Sequence, residues 1–151
     1  MNEEAKSRAL RLLDKRDYSR AELIRKLTEK GVDESDAAEA VDYLVSLGFV
    51  DDARYAPLLV RRCAAKGYGR ARAKQELQKR GIDRALWDAA LTELPEQEET
   101  IDRLLRNRLR SAEPDRAELK RASDALLRRG FGWDEIKRAL ARYQADIEEE
   151  E

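Results

Sequence analysis

Apolar residues recur along this chain at the spacing of an α-helix, in segments separated by glycines or by helix-capping residues. A first helix is predicted over 2–15. A second helix starts at a capping box, in which the Ser19 hydroxyl and the Glu22 carboxylate satisfy free N–H groups, and it ends at Gly31. A third helix is predicted over 34–47. The first part of the chain is therefore predicted to be a three-helix unit.

The same pattern returns twice, and three glycines mark the repeat. Gly31, Gly81 and Gly130 are 50 and 49 residues apart. Apolar residues stand four before and one after each glycine, as the pairs Leu27 and Val32, Leu77 and Ile82, and Leu126 and Phe131. A unit of about 45 residues cannot bury enough apolar surface alone, so it must stack on its neighbour. We therefore predict an all-α fold of three tandem three-helix repeats that form an elongated, curved array.

The predicted boundaries follow from the turn signals between the repeats. Repeat 1 is expected over 1–50, repeat 2 over 51–95 and repeat 3 over 96–145, followed by an acidic tail over 146–151. Pro57 lies in the first turns of the helix expected over 52–65. Because proline removes a helical hydrogen bond and crowds the preceding turn, this helix should start late, near Arg54, or bend.

Several residues at helix ends are predicted to have structural roles. Glycines are expected as helix stops or hinges at Gly31, Gly67, Gly69, Gly81 and Gly130. Asp52 is expected to cap the helix that follows it, which leaves Asp51 exposed in the turn. Trp87 and Trp133, which follow glycine stops, are expected to be packing anchors rather than platforms for base stacking.

Charge is abundant but strongly segregated. Charged residues make up 42% of the chain and the net charge is −1, yet residues 52–81 contain nine basic and two acidic residues, a net charge of +7. The basic residues around the Gly67–Gly69 hinge are candidates for binding a partner: Arg54, Arg61, Arg62, Lys66, Arg70, Arg72 and Lys74. Each of them alone is equally compatible with a solvated helix face. Their density favours contact with phosphates or with an acidic protein surface.

The residue inventory argues against catalysis. The chain has no histidine, and no short segment joins a nucleophile to a base or forms a glycine-rich phosphate loop. The single cysteine, Cys63, is expected to pack in the core. We expect no catalytic residue, no metal and no cofactor. Without an apolar leader or a long apolar run, we also expect a soluble, cytoplasmic protein with no membrane contact. We expect a monomer.

Three segments resemble one known family. The run from Ser19 to Gly31, the segments GFVDDARYA (48–56) and KGYGRARAKQELQKRGID (66–83), and LLRRGFGWDEIKRAL (126–140) are similar to bacterial RecX proteins, the regulators of the RecA recombinase. The family's central motif falls on Asp51, Asp52, Arg54, Tyr55, Ala56, Gly67, Gly69 and Gly81. Pro57 departs from the pattern, and so does Arg70, where a proline is expected.

The resemblance implies a partner and an activity. A protein of this family is expected to bind the RecA–single-stranded-DNA filament in its helical groove and to inhibit the recombinase and its ATPase, in DNA repair, recombination and the SOS response. Two alternatives remain open from the residues alone. One is a direct nucleic-acid-binding helical repeat protein, in which the helix over 70–80 acts as a recognition helix. The other is a general helical scaffold for another protein.

Overall fold

The structure, a computed structural model, describes residues 1–110 and 113–150, and this part of the chain is helical with no strand. Its helices are α1 (Glu3–Lys15), α2 (Arg20–Glu29), α3 (Glu34–Ser46), α4 (Asp52–Ala65), α5 (Arg70–Lys79), α6 (Trp87–Leu91, preceded by a 3-10 turn at Arg84–Leu86), α7 (Glu98–Arg108), α8 (Arg116–Arg128) and α9 (Trp133–Glu150). The predicted all-α class is confirmed. Most of the expected acidic tail belongs to α9, and Glu151 lies outside the described residues.

The helices α2, α5 and α8 end in the same turn. The amide of each repeat glycine donates to the carbonyl three residues before it, and the next amide donates to the carbonyl five residues before. These bonds define the Schellman motif, in which the glycine takes a left-handed conformation. The φ angles of Gly31, Gly81 and Gly130 are 93°, 71° and 96°. The buried leucines four residues before these glycines supply the carbonyls of the longer bonds, which explains why leucine and glycine recur together.

The start of α4 differs from the prediction. Asp51 is the cap, since its Oδ1 accepts from the Arg54 amide at 3.2 Å, and the prediction that Asp52 caps this helix is wrong. Asp52 is the first helical residue, and its Oδ1 accepts from the backbone amide of Arg20, the first residue of α2, at 3.0 Å. Of the two outcomes predicted for Pro57, the late start near Arg54 is wrong, because α4 already begins at Asp52 and contains Pro57, whereas a bend stays a prediction.

The chain divides into two compact units. Unit 1 comprises Met1–Leu59 and Glu76–Ala90, and unit 2 comprises Val60–Gln75 and the described residues from Leu91 onward. The divisions fall inside α4 and α5, so the segment predicted as repeat 2 contributes to both units. The predicted repeat boundaries themselves stay predictions.

Each unit has its own apolar core. In unit 1, α1, α2 and α3 bury Ala9, Tyr18, Leu23, Leu27, Ala37, Val41, Leu44 and Val50. In unit 2, α7, α8 and α9 bury Ile101, Leu105, Leu109, Ala122, Leu126, Phe131, Ile136 and Ala139. The small alanines let the helices approach closely, and the thin cores explain how a chain with so much charge can fold.

The two tryptophans differ in their surroundings. Trp87 is half-buried in unit 1, where its indole Nε1 donates to the carbonyl oxygen of Ile82 at 2.9 Å. Trp133 is 52% exposed, so the prediction that it is a buried packing anchor is wrong. Phe131, two residues earlier, supplies the aromatic ring that enters the core of unit 2.

Candidate partner-binding surface

Six of the seven predicted contact residues lie in unit 2. Arg61, Arg62 and Lys66 belong to the C-terminal half of α4, and Arg70, Arg72 and Lys74 belong to the N-terminal half of α5. The seventh, Arg54, is an exposed residue in the first turn of α4 and belongs to unit 1. The structure therefore places six of these side chains on two consecutive helix segments that flank one short turn.

The turn between these segments is held in place by the turn between α8 and α9. The backbone amide of Gly69 donates to the Arg129 carbonyl at 2.8 Å, and that of Ala71 donates to the Gly130 carbonyl at 3.1 Å. The two glycine backbones approach so closely that a Cβ on Gly69 would lie 2.6 Å from the carbonyl oxygen of Gly130. A Cβ on Gly130 would collide with the backbone nitrogen of Arg72. The segment predicted as a hinge is thus a docked turn.

Arg129 completes this anchoring, and sequence reasoning missed it. Its Nη1 donates to the Lys66 carbonyl at 3.1 Å, across the end of α4. Its guanidinium also lies 5.8 Å from the ring centre of Tyr68, and the guanidinium of Arg72 lies 4.2 Å from the same ring centre. Cations attract the negative face of an aromatic ring, so these contacts hold the tyrosine in position. The available signal was the place of Arg129 directly before a repeat glycine, where Arg80 stands in the preceding repeat.

The predicted basic residues are not equivalent. Arg61 forms an ion pair with Glu93 at 3.2 Å, and the guanidinium of Arg72 stacks over the ring of Tyr68. The other four are exposed, and no carboxylate of the described residues lies within ion-pair distance of them: Arg62, Lys66, Arg70 and Lys74. We call these four residues the cation cluster. Because their backbone is fixed by the docked turn, they present positive charge on a preorganised support.

A second charged arrangement lies in unit 1 and is largely buried. The Glu22 side chain is 4% exposed, accepts from the backbone amide of Ser19 at 3.1 Å and pairs with Arg80 at 2.8 Å and with Arg16 at 3.4 Å. Burial raises the pKa of the Glu22 carboxyl, but the hydrogen bonds from Ser19 and Arg80 and the two positive charges outweigh burial, and the pKa lies below its usual value. The ion pair with Glu22 likewise raises the pKa of Arg80.

This buried arrangement joins two segments that are far apart in the chain. The Ser19 hydroxyl donates to the carbonyl oxygen of Arg80 at 2.5 Å. A Cβ on Gly81 would lie 2.5 Å from the Cβ of Ala21. The capping box predicted for Ser19 and Glu22 is confirmed, and the same two residues also hold the end of α5. This arrangement is structural, since its charges face one another rather than solvent.

Neither a cluster of metal ligands nor a membrane-spanning helix occurs in the part of the chain that the structure describes. Over residues 1–110 and 113–150, no group of three or more metal-binding side chains is arranged to hold an ion. In the same part of the chain, every helix is too short or too polar to cross a lipid bilayer.

Family models match the chain in three consecutive stretches. They describe the first three-helix domain of RecX over residues 5–44, the second over 51–91 and the third over 96–140. The three stretches follow the helix groups α1–α3, α4–α6 and α7–α9. The predicted arrangement of three tandem three-helix domains is therefore confirmed.

Similar proteins and structures agree with these matches. The Regulatory protein RecX of Stenotrophomonas maltophilia is 42% identical over 92% of this chain and 86% of its own length. The protein of the same name from Xanthomonas axonopodis is 39% identical over the same shares. The crystal structure of RecX from Lactobacillus salivarius superposes with a TM-score of 0.83 at 24% identity, covering 95% of this chain and 96% of that one. This chain therefore belongs to the RecX family of regulatory proteins.

Proposed function

We propose that this protein is a non-catalytic regulator that binds RecA–single-stranded-DNA filaments and inhibits the recombinase and its ATPase. It acts in the cytoplasm, in DNA repair and recombination, and as a monomer at the low concentrations at which such inhibition is assayed. Membership in the RecX family supports the regulatory role. The observation that carries the proposal for this chain is the cation cluster on its fixed turn.

The cation cluster suits an anionic partner surface. Exposed basic side chains attract acidic patches on a protein or the phosphates of a nucleic acid, and they increase the rate of encounter at low salt. A rigid backbone lowers the entropy that is lost on binding. Arg54, Arg61 and Arg72 remain part of the proposed contact set. However, Arg61 and Arg72 already have partners within unit 2, so they contribute less free charge than the cation cluster.

The test is the DNA-dependent ATPase of RecA with this protein added below stoichiometry. We expect inhibition by the wild type and weaker inhibition by Lys74→Glu. Lys74 is exposed and forms no ion pair with any described residue of unit 2, so its charge is available to a partner. The matched control is Lys137→Glu, which reverses an exposed lysine of α9 outside the cation cluster. Circular dichroism should show equal helicity for both variants.

The outcomes separate the parts of the proposal. If the wild type leaves the ATPase unchanged at every ratio, the regulator function is wrong. If Lys74→Glu and Lys137→Glu inhibit equally well, the regulator function survives but the contact surface lies elsewhere. Arg72→Glu is the weaker probe, because Arg72 also supports Tyr68 and adjoins Gly130.

Direct binding to nucleic acid is the second candidate, and the same exposed cations favour it. Each phosphate that a cation neutralises steepens the salt dependence of binding: the logarithm of the binding constant falls by nearly one further unit for each tenfold increase in salt concentration. Fluorescence anisotropy with labelled single-stranded DNA, without RecA and over a salt series, tests it. Tight binding with a steep salt dependence that RecA does not alter would favour this candidate over the filament regulator.

A further inference from the structure

Equivalent segments of successive repeats meet in both compact units. In unit 1 the first turn of α2 contacts the end of α5, where Ala21 packs on Gly81. In unit 2 the first turn of α5 contacts the end of α8, where the Ala71 amide donates to the carbonyl of Gly130. In each junction, the N-terminal turn of one repeat's second helix packs on the glycine turn that ends the second helix of the next repeat.

Each unit also contains one half of such a junction without its counterpart: the glycine turn of α2 in unit 1 and the first turn of α8 in unit 2. At the end of α2, no atom of the described residues beyond the adjoining backbone lies within 4 Å of the position that a Cβ on Gly31 would take. At the start of α8, Ala117 is exposed, and within the described chain neither its amide nor the Glu118 carboxylate has a hydrogen-bond partner. The chain thus carries an unused N-terminal turn and a glycine turn that no other repeat covers; within the first repeat, Arg8 Nη1 already donates to the Lys30 carbonyl of that turn at 3.2 Å.

The unused N-terminal turn closely matches one that is used. The sequence Arg-Ala-Glu-Leu occurs at Arg20–Leu23 in α2 and again at Arg116–Leu119 in α8. Both follow a residue whose side chain caps the helix, Ser19 in one case and Asp115 in the other. In unit 1 this sequence places an alanine on a glycine and a glutamate against the basic residue before that glycine. The start of α8 therefore carries the alanine and the glutamate of this contact, although the Asp115 carboxylate cannot donate to a carbonyl as the Ser19 hydroxyl does.

Charge on the glycine turn of α2 is complementary to this turn of α8. Beside it lies a cavity of about 650 Å³, lined by Arg8, Arg11, Leu12, Asp14, Lys15 and Lys30. The ammonium groups of Lys15 and Lys30 have no ion-pair partner among the residues that the structure describes. Asp115 and Glu118 present two carboxylates at the start of α8. Lys30 directly precedes Gly31, as Arg80 precedes Gly81, so it stands where Glu22 finds its partner in unit 1.

We propose that the α8 turn of one copy docks on the end of α2 of a second copy. Ala117 packs over the second copy's Gly31, the Ala117 amide donates to the Gly31 carbonyl, and Glu118 pairs with Lys30. The contact joins two different surfaces, so it is heterologous. One such junction is smaller than the roughly 1,200–2,000 Å² of a stable interface, and the association is weak. It needs neither RecA nor DNA, so it stands independently of the proposed function.

Sedimentation velocity over a concentration series, from about 5 to about 500 μM, tests the association, for which we expect a dissociation constant of about 100 μM. The wild type should sediment faster as its concentration rises. Lys30→Glu should abolish this change by repelling Glu118, and Ala117→Gln should abolish it by adding bulk where alanine must meet glycine. Both side chains lack partners in the described chain, and circular dichroism checks that both variants remain helical.

An equimolar mixture of the two variants provides the sharpest measurement. Each variant keeps the surface that the other has lost, so the mixture should form a dimer of one copy of each and nothing larger. A wild type with a constant sedimentation coefficient would overturn the proposal. So would variants that associate like the wild type, or a mixture that stays monomeric although the wild type associates.

Discussion

Arg80 Nη1 donates to Glu22 Oε2 at 2.8 Å, although the two residues lie 58 positions apart in the chain. The bond joins the start of α2 to the end of α5. It is part of a buried hydrogen-bond network, because Glu22 also accepts from the Ser19 amide. A carboxylate with so little exposure is stable only while its partners remain. This ion pair therefore makes the fold of unit 1 depend on one arginine of the second repeat.

Replacement of Arg80 by methionine should destabilise the protein by about 2–4 kcal/mol, because it leaves the Glu22 carboxylate buried without its main partner. Arg25→Met is the matched control. Arg25 pairs with Glu29 at 3.9 Å on an exposed helix face, and such a pair contributes about 0–1 kcal/mol. Urea denaturation followed by circular dichroism measures both changes. Equal losses for the two variants would show that the buried pair has no special weight.

Glu22 should also make stability depend on pH at the acid end. The pKa of its carboxyl is lowered on folding from 4.5, so the stability it contributes is complete above that value. The contribution is lost as the pH falls through the lower pKa of the folded state. We expect the stability difference between wild type and Glu22→Gln to be about 1.5–3 kcal/mol at neutral pH and to shrink in acid. Urea denaturation at a series of pH values measures it, and a difference that grows in acid would contradict the sign.

The glycine turns offer a comparison of two sites with the same backbone and different surroundings. Gly31→Ala and Gly130→Ala both place alanine at a left-handed φ, which costs about 1–2 kcal/mol. At Gly130 the new Cβ also meets the backbone of Arg72, whereas around Gly31 the described residues leave it free space. Gly130→Ala should therefore be the more destabilising by a further 1–3 kcal/mol, roughly the cost of overpacking. Thermal and urea unfolding of both variants measure the difference.

These residues also show what the sequence could predict. A left-handed helix stop strongly favours glycine, so three glycines at spacings of 50 and 49 residues, each with a leucine four residues before, predicted three turns that the structure contains. The spacing carries no information on what packs against each turn. That Gly130 touches the start of α5, whereas Gly31 is uncovered, depends on the stacking of successive repeats.

The errors have similarly local causes. Asp51 and Asp52 are adjacent carboxylates before one helix, and only the backbone geometry decides which of them reaches the Arg54 amide. Trp133 follows a glycine stop as an anchor would, but Phe131 had already filled the core position. At the candidate surface, charge density pointed to α4 and α5, and the contact role of these helices stays a prediction. Charge density could not show that Glu93, more than 30 residues away, neutralises Arg61.

That ion pair leads to a prediction about function. Glu93→Gln removes the carboxylate that lies 3.2 Å from Arg61 and leaves the arginine free to attract an anionic partner. Both side chains are about half exposed, and exposed pairs contribute about 0.2–1 kcal/mol, so binding and inhibition of the RecA ATPase should strengthen by about 1.5–5-fold while stability hardly changes. Arg61→Gln in the same background should cancel the gain. If Glu93→Gln inhibits no better than the wild type at low salt, Arg61 does not belong to the contact surface, and the cation cluster alone would have to account for it.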